Sequence, residues 1–213
     1  MCLDVIRCNI NEILALIHVG KRRYNSVQLG ILQLSERMMR MRFYKWLETP
    51  LGRVILTSDG EALTGIWYDQ QKYFPTGVPE ESYEANLPIF SIVETWLTRY
   101  FNGENPEIDF PLKPEGNAFR QRVWTLLCQI PYGALWTYGD IAKQVASEMG
   151  REHMSAQAVG GAVGHNPISV IIPCHRVVGK SGNLTGYAGG IDRKCKLLEI
   201  EGHDLHQFKL PKT

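Results

Sequence analysis

The sequence lacks paired cysteines, long apolar runs and any marked net charge. Its five cysteines, Cys2, Cys8, Cys128, Cys174 and Cys195, are odd in number, and no two stand at CxxC spacing. A disulfide framework is therefore not expected, no structural zinc site is readable, and a reducing cytosol suits such a chain. The longest apolar run near the start, residues 13–19, is interrupted by His18 and is too short to cross a bilayer. No small-residue cleavage site follows it, so no secretory signal reads there. The expectation is a cytoplasmic protein with no membrane partner and no metal.

The formal net charge of +1 hides an asymmetry. Residues 1–40 carry net +3, residues 41–115 net −6, residues 116–202 net +3 and the tail 203–213 net +1. A basic segment beside an acidic one suggests that the later half faces an anion, although blocks of this size also fit an ordinary solvated surface. With 213 residues and 44% hydrophobic content the chain is globular, long enough for one large domain or two small ones.

The organisation follows from periodicity and punctuation. Residues 1–40 show helical spacing at Ile10, Ile13, Leu14 and Ile17, followed by Lys21, Arg22 and Arg23, and carry no chemistry. They read either as a helical extension or as upstream sequence, with Met38, Met39 or Met41 as the true start. Short strand-like runs at 43–47, 54–57 and 63–68, separated by Pro50-Leu51-Gly52 and Asp59-Gly60, predict a small antiparallel meander. Residues 69–86 read as loop. Ile89, Val93, Trp96, Leu97 and Tyr100 form a helical stripe closed by Asn102-Gly103. The Pro- and Gly-rich stretch 106–116 reads as a linker. It divides an N-terminal domain, 41–115, from a second domain, 116–202.

The second domain is expected to be mostly helical. Asn117 caps a helix with apolar Phe119, Val123, Trp124 and Leu127. Thr137 and Asp140 have the spacing of a capping box and open the next helix. Ser155 caps a third, from Ala156 to about Gly164. The last two form a helix-turn-helix whose connection is long for that motif. Asp192 is expected to cap a final helix that stops at Gly202. Cys128 and Cys195 read as helical packing residues.

The chemistry concentrates in residues 171–178, Ile-Ile-Pro-Cys-His-Arg-Val-Val. The plain reading is a buried strand with a structural cysteine, in which Cys174 and His175 point to opposite faces. Pro173 argues instead for a turn, in which both side chains line one pocket. Glu201 shares a helical face with Leu197, Leu198 and Lys194, so its carboxylate points inward and needs a partner. Lys194 is one candidate partner. His175 is the other, with Glu201 orienting the imidazole and stabilising its charged form. The small residues of Ala156-Gln-Ala-Val-Gly-Gly-Ala-Val-Gly164 suit either close helix packing or a helix smooth enough to enter a narrow groove. Glycine at this density weakens a helix by roughly 1 kcal/mol each relative to Ala, so it needs a reason.

These residues resemble the methylated-DNA–protein-cysteine methyltransferases, also called alkylguanine-DNA alkyltransferases. Pro173-Cys-His-Arg-Val177 is similar to their active-site motif. Gln121-Arg-Val-Trp124, Ile130-Pro-Tyr-Gly133, Thr137-Tyr138, Ala158-Val-Gly-Gly161, Asn166-Pro167, Gly186-Tyr-Ala-Gly-Gly190, Leu197-Leu198 and Glu201-Gly202 follow the family pattern in order. The resemblance covers 117–202 well and 42–114 more weakly. It leaves residues 1–40 outside.

The resemblance implies an α+β protein: a small N-terminal α/β domain of ribonuclease-H-like topology, then a helical domain with a helix-turn-helix. It implies DNA repair, with the alkyl group of 6-O-methylguanine, and of 4-O-methylthymine, passing irreversibly to Cys174. By similarity His175 takes the thiol proton through a water, Glu201 holds His175, Asn166 braces the turn and Tyr138 donates to the departing base. The backbone of Val177 and the loop Tyr187-Ala188-Gly189 would line the base pocket, with Lys194 supporting that loop. Ser155, Ala156, Gln157, Gly160 and Gly161 would meet double-stranded DNA in the minor groove, the target base being flipped out. No cofactor is implied, and the chain would act as a monomer. Two departures stand out: Gln157 where the family commonly places an Arg finger, and the long connection before that helix. Two other functions compete, a non-enzymatic alkylated-DNA-binding protein and a cysteine hydrolase using Cys174, His175 and Glu201.

Overall fold

The computed structural model describes residues 42–78 and 82–210. The N-terminal extension, with its alternative starts, and the end of the tail lie outside the described residues. Three strands form the expected meander: β1 (Phe43–Leu47), β2 (Val54–Ser58) and β3 (Leu63–Tyr68). β1 pairs antiparallel with β2 through Phe43↔Ser58, and β2 antiparallel with β3 through Val54↔Tyr68. The turns rest on Gly52 and Gly60, both at φ +106°. A fourth strand, β4 (Tyr83–Glu84), pairs parallel with β1 and completes the order β3-β2-β1-β4. It falls within 69–86, read above as loop. Two residues are too short a run to leave a periodic signal.

Helix α1 (Pro88–Phe101) buries all five stripe residues, together with Phe90. The segment read as a linker is stitched to β3: the Leu63 N–H donates to the Pro111 carbonyl and the Lys113 N–H to that of Leu63. A second segment lies beside the same strand. Ile66 N–H donates to Pro167 O, and Ser169 N–H to Ile66 O. β3 thereby holds the stretch that leads into the Cys174 turn.

The helical half contains α2 (Ala118–Leu127), α3 (Tyr138–Glu148), α4 (Ala156–Gly164) and α5 (Ile191–Ile200). The Asn117 side chain accepts from Arg120 N–H, Thr137 and Asp140 form a complete capping box, and Ser155 Oγ accepts from Gln157 and Ala158. Two short strands, β5 (Trp136–Thr137) and β6 (Val177–Val178), pair in parallel and join the α3 entrance to the turn after Cys174. Trp124 Nε1 donates to Ala162 O at 2.9 Å and locks α2 against α4. One hydrophobic core runs through both halves, from Leu56 and Phe90 to Trp124, Val159 and Leu197.

Two expectations fail here. Asp192 does not cap α5: Gly190, at φ +92°, occupies that position and Asp192 lies in the first turn. An acidic residue is favourable in a first turn as well as at a cap, so the local signal was displaced by two residues. Cys128 is not a packing residue, because it sits exposed at the C-terminal end of α2. Cys195 is half-buried against the small cluster of Val178, Leu184 and Leu198.

Candidate active site

Residues 174–176 form a single 3₁₀ turn after Pro173, so this stretch is not a regular strand. The turn lets two adjacent side chains bury together, with Cys174 6% exposed and His175 0%. Asn166 builds the turn from inside. Its Nδ2 donates to Ile172 O at 2.8 Å and lies 3.0 Å from Cys174 Sγ, while its Oδ1 accepts from Ile168 N–H. Val170, just before the turn, is held at φ +71°. That conformation costs a β-branched residue of order 1–3 kcal/mol, so the surrounding bonds must impose it.

Glu201 closes α5 with its side chain fully buried. His175 Nε2 stands 2.8 Å from its Oε1, and the Tyr100 hydroxyl donates to the same oxygen at 2.7 Å. Arg176 grips both oxygens, Nε to Oε2 at 2.9 Å and Nη2 to Oε1 at 3.0 Å. The Gly133 N–H adds a donor to Oε2 at 3.1 Å. An ionised carboxylate only accepts, so Nε2 carries the histidine proton and Nδ1 is left with its lone pair. Nδ1 is buried and has no hydrogen-bond partner among the described residues.

The charges follow from this packing. Burial alone would raise the Glu201 carboxyl, but the bonds from His175 and Arg176 outweigh it and hold the group far below the usual carboxylate range. Burial pushes the His175 imidazole below its ordinary 6.5, and Glu201 only partly reverses that. Burial also raises the Cys174 thiol, against partial relief from Asn166 and from the Lys194 charge. At neutral pH the resting pair is a thiol beside a neutral imidazole. Such a thiol needs a base before it can attack.

Lys194 is not the partner of Glu201. It is buried, and its Nζ donates to the Val177 carbonyl. Burial lowers the ammonium to about 8. Nor does its ammonium bond the loop Tyr187–Gly189. Arg193 does that, with Nη1 on Gly189 O at 2.7 Å and Nε on Leu51 O at 2.8 Å. The Ala188 carbonyl accepts from Lys72 N–H at 3.1 Å, so the N-terminal half holds this loop as well. Gly189 is packed so closely that a Cβ would meet the Tyr187 ring at 2.7 Å and the Tyr68 ring at 3.1 Å.

A groove of about 710 Å³ opens between the starts of α3 and α4 and the segment 179–186, lined among others by Tyr138, Ala156, Gln157, Gly160, Lys180 and Gly186, with no residue of the 174–176 turn in its lining. The Tyr138 hydroxyl donates to Thr185 O at 3.0 Å and is pushed up to about 12, chiefly by burial. Gly160 faces the Tyr138 ring, whereas a Cβ on Gly161 would meet nothing within 4 Å among the described residues. Ser155 serves as the cap of α4. Among the described residues no cluster of three or more His, Cys, Asp or Glu could hold a metal ion. No helix among them is long and apolar enough to cross a membrane.

Sequence reasoning missed two side-chain partners of Glu201. Arg176 lies inside the quoted motif, next to His175, and an Arg flanking a buried His–Glu pair was the available signal. Tyr100 had no signal beyond its place in the α1 stripe.

A family model described as the 6-O-methylguanine DNA methyltransferase ribonuclease-like domain matches residues 41–114. The DNA binding domain of the same name matches residues 118–203. The methylated-DNA–protein-cysteine methyltransferase of Haemophilus influenzae is 43% identical over 164 residues, 76% of this chain and 88% of that protein. The crystal structure of the Mycobacterium tuberculosis O6-methylguanine methyltransferase aligns with a TM-score of 0.66 at 43% identity, over 76% of this chain and 93% of that one. The crystal structure of Mycobacterium tuberculosis OGT in complex with DNA aligns at 0.65 and 42%, over 75% and 92%. By both domain matches and by these relatives, the chain belongs to the 6-O-methylguanine DNA methyltransferase family.

Proposed function

We propose that this protein repairs alkylated DNA by moving the alkyl group of 6-O-methylguanine, and of 4-O-methylthymine, irreversibly onto its own Cys174. The observation that carries this reading is the buried constellation Asn166–Cys174–His175–Glu201, with Tyr138, whose phenol feels charge on Cys174, lining the groove that α4 helps to form. His175 Nδ1 is the buried nitrogen that keeps its lone pair, and a single water between it and Sγ would relay the thiol proton. The sulfur attacks the sp3 carbon, an S–C bond forms, and the O–C electron pair leaves with the base. Tyr138 would exchange the Thr185 carbonyl for the departing base and neutralise the charge that develops there. Glu201 balances the imidazolium formed during transfer.

The Val177 carbonyl, held by Lys194, keeps a second lone pair for the base. Tyr187, Ala188 and Gly189 would supply the opposite wall. Ala156, Gln157 and Gly160 would follow the minor groove, with Gly161 open enough for a backbone to approach closely. Ser155 would take part by fixing the start of that helix. The base must be flipped to reach Cys174, at a cost of about a few kcal/mol that is smallest for a badly paired lesion. Each chain needs only its own cysteine, which suits a monomer. The product is a thioether, a very poor leaving group, so each molecule acts once.

The test is to incubate the protein with a duplex carrying 6-O-methylguanine and to weigh the tryptic peptides. The Cys174 peptide should gain one methylene and the Cys128 and Cys195 peptides none. Cys128 is the stringent control because it is exposed. Lesions cleared should equal protein added. Methylation at another cysteine, or clearance of excess lesions, would replace this reading with a different acceptor or with turnover.

A further inference from the structure

We infer that Tyr100 is a positioning residue for the Cys174 reaction: from α1 in the N-terminal half, its hydroxyl draws charge from Glu201 Oε1 so that His175 stays neutral and presents Nδ1 as the base. The inference rests on the alkyl-transfer reading above. Tyr100 is 1% exposed, and its hydroxyl lies 2.7 Å from Glu201 Oε1 and 3.2 Å from His175 Nε2. Its ring meets the imidazole edge-on at 6.3 Å and 67°, and stacks on Trp96 at 5.3 Å and 8°. Trp96 is fixed in turn by its Nε1 bond to Pro106 O. The hydroxyl therefore sits on a rigid platform, aimed at the oxygen that accepts from His175.

Burial, and then the Glu201 charge, push the phenol far above its ordinary value, so it stays protonated and is a permanent donor. Around the pair, Arg176 and Lys194 contribute positive charge and disfavour the imidazolium, while Cys174 and Tyr132 remain neutral at rest. The Tyr100 bond withdraws negative charge from Oε1. Without it, Oε1 is free to stabilise the imidazolium more strongly, and His175 holds a proton to higher pH. A protonated His175 cannot accept from the thiol.

Tyr100→Phe removes the hydroxyl and keeps the ring. In the full chain, the rate of Cys174 alkylation by methylated duplex and by a free 6-O-alkylguanine base should fall about three- to tenfold at neutral pH, the scale of one buried hydrogen bond. The acid limb of the rate profile, followed between about pH 5 and 9, should move to higher pH. At neutral pH, histidine ring nitrogen-15 shifts should show a neutral His175 with a bare Nδ1 in the wild type and a larger imidazolium fraction in the variant. Rates that merely scale, with an unmoved acid limb and identical ring shifts, would overturn the inference and leave Tyr100 as packing. If the wild type accepts no alkyl group on Cys174, the alkyl-transfer reading fails, while the ring shifts still test Tyr100 separately.

Discussion

Replacing Arg176 with Met should expose how much of the site's stability rests on one guanidinium. Arg176 is 11% exposed and Glu201 fully buried, so their bidentate bond lies out of reach of water. Met preserves most of the aliphatic stem but leaves the carboxylate with the neutral donors Tyr100 and Gly133 and with His175. It also orphans the Ile130 carbonyl, which accepts from Arg176 Nη1 at 2.6 Å. Breaking one side of a buried ion pair costs about 3–5 kcal/mol. For a chain of this length that lowers the unfolding midpoint by roughly 6–20 °C. The pH dependence supplies a sharper check. Glu201 titrates far below its ordinary 4.5 in the folded protein, so its contribution is present above that value and is lost as pH falls toward the folded one. Without Arg176 the folded carboxyl titrates closer to 4.5, and the loss of stability below about pH 5 should become shallower. Urea unfolding of both proteins between pH 3 and 8, followed by far-ultraviolet circular dichroism, measures both effects. A loss under about 1 kcal/mol at pH 7, or an unchanged acid slope, would refute the claim that this pair is a desolvated ion pair.

Gly161→Ala should stabilise the fold by up to about 1 kcal/mol, since the new methyl meets nothing within 4 Å among the described residues while Ala favours the helix. If α4 approaches DNA closely, Gly161→Leu should nonetheless weaken duplex binding, and equal affinity would place that face of α4 away from DNA. Gln157→Arg should tighten duplex binding on the order of 1 kcal/mol at low salt and steepen the salt slope by about 0.9, as one added phosphate contact requires. Titrations at two salt concentrations test this, and a changed rate on a free base would instead put Gln157 in the reaction pocket. A chain that starts at Met41 should accept alkyl groups at the full-length rate, measured by Cys174 labelling. Loss of soluble protein would show that the first forty residues support the fold.

Much of the architecture is written locally. The caps at Asn117, Thr137–Asp140 and Ser155, the α1 stripe and the Gly52 and Gly60 turns each depend on residues within about four positions of one another, and each formed as read. The α5 start misread shows the limit of such signals, because Asp192 suits a first turn as well as a cap. The parallel pairing of β4 with β1 left no mark, since a two-residue strand is recruited by its neighbour and not by its own composition.

The candidate site divides along the same line. The sequence alone identified Cys174 beside His175 and an inward Glu201, because their types and spacing are local facts, whereas Asn166 at the turn came only from the family resemblance. It left open whether Glu201 meets Lys194 or His175. Only the tertiary structure decided that: Glu201 meets His175 and Arg176, about 25 residues away, and Tyr100, 101 residues away, while Lys194 turns to Val177. A buried charge is compensated by whichever donors packing brings within about 3 Å. Here packing across the whole core chose them, so no window of sequence contained the answer.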